Sequence, residues 1–220
     1  MKEFAVIFDM DGVLVDSNPM HKKSIQKFTE KYGLELSEQE LREKVYGRNN
    51  REWIPYLFHD EAMSPEQVKR YADEKESMFR DMYRDTIELL PGLRGFLNAL
   101  QATQIPYAIA TSAPRANVDF TLDETGTTRY FTTILHEAHF DKGKPDPEIY
   151  LKAAAALRFE PARCIVFEDS LAGVESGHRA GCHVIGITTT QTSEELLAKG
   201  AVATYADFRD VTLTDLEKYI

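Results

Sequence analysis

The first unbroken hydrophobic run is Ala5, Val6, Ile7 and Phe8, four residues that stop at Asp9-Met-Asp-Gly. A short apolar run bounded by turn residues predicts a strand buried on both faces, as in a parallel sheet. From Pro19 to about Asp85 the pattern becomes helical and charged, with no second run of that kind. Ile25, Phe28 and Tyr32 recur at helical spacing, and Gly33 closes their helix. Ser37 with Glu40 makes a capping box for a second helix running toward Val45. Trp53, Ile54, Leu57 and Phe58 give a third apolar face, read as core of this lobe and not as a stacking platform. Ser64-Pro-Glu-Gln starts a further helix, which carries Val68, Tyr71, Met78, Phe79 and Met82. The pattern predicts a helical lobe over 18–85, inserted after the first strand.

Beyond it, strands and helices alternate. Pro91 and Gly92 open a helix through Leu93, Phe96, Leu97 and Leu100. A strand from Pro106 ends in the hydroxyls of Thr111 and Ser112. A helix through Val118 and Leu122 follows, then a short strand around Phe131 to Leu135. Asp146-Pro-Glu starts a helix through alanines 153 to 156. Cys164-Ile-Val-Phe is a buried strand ending in Glu168 and Asp169. The helix after it carries Gly173, Gly177 and Gly181, and close contact with the sheet is the expected reason. His183-Val-Ile-Gly-Ile is another strand, and Thr192 with Glu195 caps a helix after it. This alternation predicts an α/β fold, a doubly wound parallel sheet built from 1–17 and 86–220 with helices on both faces.

Composition narrows the function classes. The chain has 220 residues and a formal net charge of −10, which argues against nucleic acid as a partner. No run approaches membrane-spanning length, and the first strand lies too near Met1 for a removable signal peptide. Cys164 and Cys182 lack metal-type spacing and read as reduced core thiols of a cytoplasmic protein. His136-Glu-Ala-His139 has the wrong spacing for a helical zinc pair, and neither a dinucleotide fingerprint nor a P-loop is present.

The candidate chemistry lies at strand ends. Asp9 and Asp11 are two apart on an extended segment, so both can face one site. Acids at the carboxyl end of a central strand stand where open α/β sheets place their ligands. The plain alternative is an Asp-Gly turn. A calcium loop is excluded, because its required Gly and Glu positions hold Leu14 and Met20. Glu168-Asp169 has its own alternative, an acidic cap on the next helix. Carboxylates from two strands, with no cysteine nearby, suit a hard cation, and Mg²⁺ fits best. Lys144 precedes a helix start and could hold a phosphoryl oxygen beside such a site.

Asp9-x-Asp-Gly-Val-x-x-Asp-Ser, Ala110-Thr-Ser, Lys144-Pro-x-Pro and Phe167-Glu-Asp-Ser follow one another in that order. Together they resemble the four motifs of the haloacid dehalogenase superfamily. The inserted lobe and the Gly173-to-Gly177 helix are similar to its β-phosphoglucomutase-like branch. The resemblance covers nearly the whole chain and implies a Rossmann-like core with a helical-bundle cap. It also implies that Asp9 attacks phosphorus to form an aspartyl-phosphate, and that Asp11 protonates the leaving oxygen. Thr111 and the next backbone amide, at Ser112, would hold the phosphoryl group with Lys144. Mg²⁺ would sit on Asp9, the Asp11 carbonyl and Asp169, with Glu168 on it or beside it. The Lys144–Pro145 bond is expected to be cis. Retention of Asp11 favours phosphoryl transfer over dehalogenation or phosphonate cleavage.

The cap should select the substrate. His21 and Lys75 fall where the mutase has its cap histidine and lysine. The loop around Gly47 departs from the mutase, with Tyr46 and Asn50 in place of its lysine and arginine. Arg48 and Arg51 lie close enough to substitute. Ala113 replaces a mutase serine, with Arg115 nearby. The resulting expectation is a monomeric Mg²⁺-dependent phosphatase acting on small phosphorylated metabolites, sugar phosphates foremost. A hexose phosphate mutase is the alternative, and a non-catalytic binding module is the remote one.

Overall fold

The chain is described by a computed structural model, in which residues 4–45 and 50–220 are placed. Two compact units result, Met1–Asp16 with Ile87–Ile220, and Ser17–Thr86. In chain order the elements are β1 (Ala5–Phe8), α1 (Asn18–Lys31), α2 (Glu38–Glu40), α3 (Asn50–Leu57), α4 (Pro65–Tyr83) and α5 (Leu93–Thr103). They continue with β2 (Tyr107–Ala110), α6 (Arg115–Glu124), β3 (Ile134–Leu135), α7 (Glu148–Leu157), β4 (Cys164–Glu168) and α8 (Leu171–Arg179). The last are β5 (His183–Ile187), α9 (Ser193–Lys199), β6 (Ala203–Tyr205) and α10 (Leu213–Glu217). No helix among the described residues is long and apolar enough to cross a membrane.

The first unit is a six-stranded parallel sheet in the order β3-β2-β1-β4-β5-β6. Phe8 at the end of β1 pairs with Ile109 of β2 and Phe167 of β4. That register brings the carboxyl ends of three strands to one edge. The strand order reverses at β1, which opens a crevice there.

Every β1 side chain is buried, as its continuous apolar run demands. Ala5 and Ile7 share a core cluster with Val166, Val184, Ile149 and Val174. Phe8 meets a second, aromatic cluster: it stacks on Phe167 at 5.4 Å and meets Phe96, Phe131 and Phe208 at 6.0–6.1 Å. Burying a side chain of that size contributes about 2–3 kcal/mol, so β1 is clamped from both sides and its end is a rigid platform. The short edge strand β6 has no strong apolar run to betray it, and the sequence pattern passes it over.

The three glycines after β4 have three different reasons. A Cβ at Gly177 would lie 2.7 Å from Val184 Cγ2, so helix–sheet contact explains that one. A Cβ at Gly173 would collide with the Glu168 carboxylate instead. Gly181 lies beyond the end of α8 at φ +84°, where its backbone conformation sets the requirement.

The helical unit packs Ile25, Phe28, Trp53, Ile54, Leu57 and Val68 into its own core. Phe28 meets Trp53, Phe58 and Tyr71 edge-on. Both capping boxes form: Ser64 with Gln67 starts α4, and Ser37 with Glu40 starts α2. The helix after Ser37 differs from expectation, because it widens after one turn into a π-helical stretch, Leu41–Val45.

Candidate active site

β1 delivers Asp9 to the carboxyl edge of the sheet, and its amide donates to Phe167 O at 3.0 Å. Lys144 Nζ reaches both Asp9 Oδ1 at 2.7 Å and Glu168 Oε1 at 2.6 Å. All three side chains are at least nine-tenths buried. The loop that presents Lys144 is held at its ends. Glu148 Oε2 accepts from the Asp141 and Lys142 amides, and Ser176 Oγ donates to Asp146 O at 2.7 Å. The Lys144–Pro145 peptide is cis.

Glu168 is the hub of the site. Its Oε1 accepts from Lys144 and from the buried Tyr150 hydroxyl at 2.8 Å. Its Oε2 accepts from the Asp169 amide, the Ser170 amide and the Ser170 hydroxyl at 2.9–3.0 Å. The last three donors lie just ahead of α8, whose N-cap is Ser170, so Glu168 braces the turn into that helix and does not itself cap it. Ser170 Oγ in turn accepts from the Gly173 amide at 3.0 Å.

The electrostatics follow from burial. Desolvation pushes Asp9 up to about 7 despite the opposing Lys144, with Glu168 and Asp11 adding to the rise. Burial also raises Asp169 well above the carboxylate range, reinforced by the charges of Glu168 and Asp9. Burial alone would raise Glu168 too, but the Lys144 ammonium and its hydrogen bond hold it below its ordinary value. Lys144 is raised: burial opposes this, but the charges of Asp9 and Glu168 prevail.

Asp9, Glu168 and Asp169 each offer a carboxylate oxygen, all within 4.8 Å of one another. Three buried acids facing one ammonium carry an excess of negative charge, and a divalent cation fits it. Glu168 already receives five donors on two oxygens, more than the roughly four lone-pair sites of a carboxylate. Asp9 and Asp169 are therefore the better placed ligands.

Thr111 is buried beyond β2. Its amide donates to Leu135 O at 3.0 Å, and its hydroxyl oxygen accepts from the Ala113 amide at 3.1 Å. Ser112 beside it is exposed. Asp11 sits half-buried in the turn after β1, where the Gly12 amide donates to Val15 O at 2.8 Å with Gly12 at φ 77°. Arg115 pairs with Asp119 at 2.8 Å on an exposed turn of α6.

Residues 6–187 match the family model of haloacid dehalogenase-like hydrolases. The chain belongs to that family. The phosphorylated carbohydrates phosphatase of Thermotoga maritima is 34% identical over 206 residues, covering 90% of this chain and 92% of that protein. A solved Entamoeba histolytica hydrolase of haloacid dehalogenase family IA, variant 3, superposes with a TM-score of 0.91 at 34% identity, over 98% of each chain. A solved Thermotoga maritima protein described as a proposed β-phosphoglucomutase superposes with a TM-score of 0.75 at 30% identity, covering 99% of this chain and 100% of that one.

This haloacid dehalogenase-like enzyme carries a second polar cluster inside its helical unit. Lys75 Nζ lies 3.1 Å from His21 Nδ1 and donates to Glu76 Oε1 at 2.9 Å. Asn50 Nδ2 donates to the same Glu76 oxygen at 2.9 Å, and Trp53 Nε1 donates to Asn50 Oδ1 at 3.1 Å. The His21 ring stacks flat on Phe79 at 3.9 Å. So the structure brings His21, Lys75 and Asn50 together and leaves Arg51 exposed on α3. Gly47 and Arg48 lie outside the described residues. His136 and His139 form the capping box of a single 3₁₀ turn.

Sequence reasoning missed Tyr150, Glu76, Thr189 and Thr190. Tyr150 could have been found as a polar-tipped residue on the apolar face of α7. Glu76 could not, because neighbours in a helix do not normally face each other. Thr189 and Thr190 follow β5 with no motif to mark them.

Proposed function

We propose that the chain is a Mg²⁺-dependent phosphatase that hydrolyses small phosphorylated metabolites, sugar phosphates foremost, through an aspartyl-phosphate on Asp9. The observation that carries this reading is Lys144 bridging Asp9 and Glu168 at the edge where β1, β2 and β4 end. The Thermotoga maritima relative named for phosphorylated carbohydrates supports the substrate class.

Asp9 attacks phosphorus, splitting one hard displacement into two. Lys144 opposes the repulsion between the Asp9 carboxylate and an incoming phosphate dianion. Glu168 holds that lysine and the start of α8. Asp11 gives its proton to the leaving oxygen, then takes one from the attacking water. Thr111 and the Ser112 amide hold the phosphoryl group. Asp9, Asp169 and the Asp11 carbonyl would hold Mg²⁺, which supplies charge neutralisation when bound. The helical unit, over 18–85, selects the substrate through His21, Lys75 and Asn50, with Gly47, Arg48, Arg51 and Arg115 as further contacts. Two buried free thiols, Cys164 and Cys182, support a reducing, cytoplasmic setting, in which the chain works as a monomer.

The mutase reading is favoured by the Thermotoga maritima structure described as a proposed β-phosphoglucomutase. One assay separates the two. Inorganic phosphate release is followed over a panel of sugar phosphates, together with conversion of β-glucose 1-phosphate to glucose 6-phosphate. A trace of bisphosphate primes any mutase. Faster phosphate release is expected, and efficient isomerisation with little free phosphate would overturn the choice.

A further inference from the structure

Beyond the four segments already described, a fifth reaches the site. β5 lies beside β4, with Glu168 in register with Gly186, so the chain leaving β5 emerges next to Asp169. It does so as Thr188, Thr189 and Thr190. Thr188 is half-buried against β6, its amide donating to Tyr205 O at 2.9 Å and its hydroxyl lying 3.5 Å from the same oxygen. The next two, half-buried Thr189 and exposed Thr190, hydrogen-bond toward the site. The Thr190 hydroxyl donates a hydrogen bond to Asp169 Oδ2. The Thr189 hydroxyl donates to Gly12 O at 2.6 Å, and its oxygen lies 3.5 Å from Asp169 Oδ2.

We infer that Thr189 and Thr190 are positioning residues for the metal centre: Thr190 orients the Asp169 carboxylate, and Thr189 ties the Asp11-Gly12 turn to it. The inference rests on the Mg²⁺ reading above. The physical reason is geometric. A carboxylate at the end of a strand can rotate about its Cβ–Cγ bond, and a hydroxyl hydrogen-bonded to one oxygen fixes its plane. The Asp11-Gly12 turn is short and irregular, so its carbonyls need an anchor outside the turn. A hydroxyl pair on one loop meets both needs with two adjacent residues. Partners of this kind, one layer outside the ligands, typically set metal affinity by about ten- to a hundredfold.

The test uses the full chain without substrate. Melting temperature is followed against Mg²⁺ concentration, and the half-saturating concentration is read for wild type, Thr190→Val, Thr190→Ser and Thr189→Val. Thr190→Val should need about ten- to a hundredfold more Mg²⁺, Thr190→Ser should match wild type, and Thr189→Val should fall between them. If Thr190→Val does not fold, Thr190→Ala carries the same expectation. Half-saturation unchanged within about twofold would overturn the inference, as would serine behaving like valine. A wild type with no response to Mg²⁺ would overturn the metal reading as well.

Discussion

The Glu168 carboxylate occupies the space that a side chain at Gly173 would need: a Cβ there would lie 1.7 Å from Glu168 Oε1. Gly173→Ala must therefore push Glu168 off Lys144, Tyr150 and the start of α8. Alanine in a helix gains about 1 kcal/mol over glycine. Breaking a buried charged network costs about 3–5 kcal/mol. The loss wins, so the variant should melt lower and turn over at least about a hundredfold more slowly. Phosphate release and a thermal melt on the same sample check this; wild-type rates would show that the position of Glu168 is immaterial.

Tyr150→Phe removes one of the five donors on Glu168 and leaves the packing of α7 in place. A hydrogen bond to a charged group is worth about 1.5–3 kcal/mol. The variant should lose stability of that order in urea, with kcat falling about tenfold and KM little changed, because Lys144 keeps its bond to Asp9. A fall in KM alone would contradict the argument.

Glu76 gives a pH-dependent prediction within the helical unit. Burial would raise its carboxyl, but the charges of Lys75 and His21 and the Asn50 hydrogen bond hold it down at about 2. In the unfolded chain it titrates near 4.5. A depressed folded value means stability that is complete above 4.5 and fades as pH falls toward 2, about 3 kcal/mol at full size. Glu76→Gln should therefore cost about that much at pH 7 and progressively less below pH 4.5. Trp53 is the only tryptophan and lies in this unit, so its fluorescence in urea melts reports the difference. A gap that stays constant from pH 6 to pH 3 would contradict it.

Asp9→Asn should keep the fold and lose turnover by at least about a thousandfold, since an amide is too poor a nucleophile to attack phosphorus. Asp11→Asn should lose turnover as well, because the leaving oxygen would depart without a proton. Circular dichroism with phosphate release measures both, and a near-wild-type rate in Asp9→Asn would remove Asp9 from the chemistry.

The motifs, their order and the central strand were legible because each is local: a continuous apolar run makes β1, and Ser64 with Gln67 makes a helix start. β6 was not legible, since a three-residue edge strand forms only where β5 offers it a partner. The π-helical widening at Leu41–Val45 likewise has no marker in the capping box before it.

By itself the sequence determined which side chains end the strands, since an apolar run must stop where Asp9, Thr111 and Glu168 begin. It also separated the helical unit from the sheet, because hydrophobic period depends only on neighbours in the chain. Only the tertiary structure decided that Glu168 is a hub saturated by five donors, that Gly173 makes room for it, and that Thr190 reaches Asp169. Those are contacts between residues distant in sequence or aimed by a helix terminus. They exist because parallel strands in register bring separate chain segments to one edge, and no pattern along the chain encodes that distance.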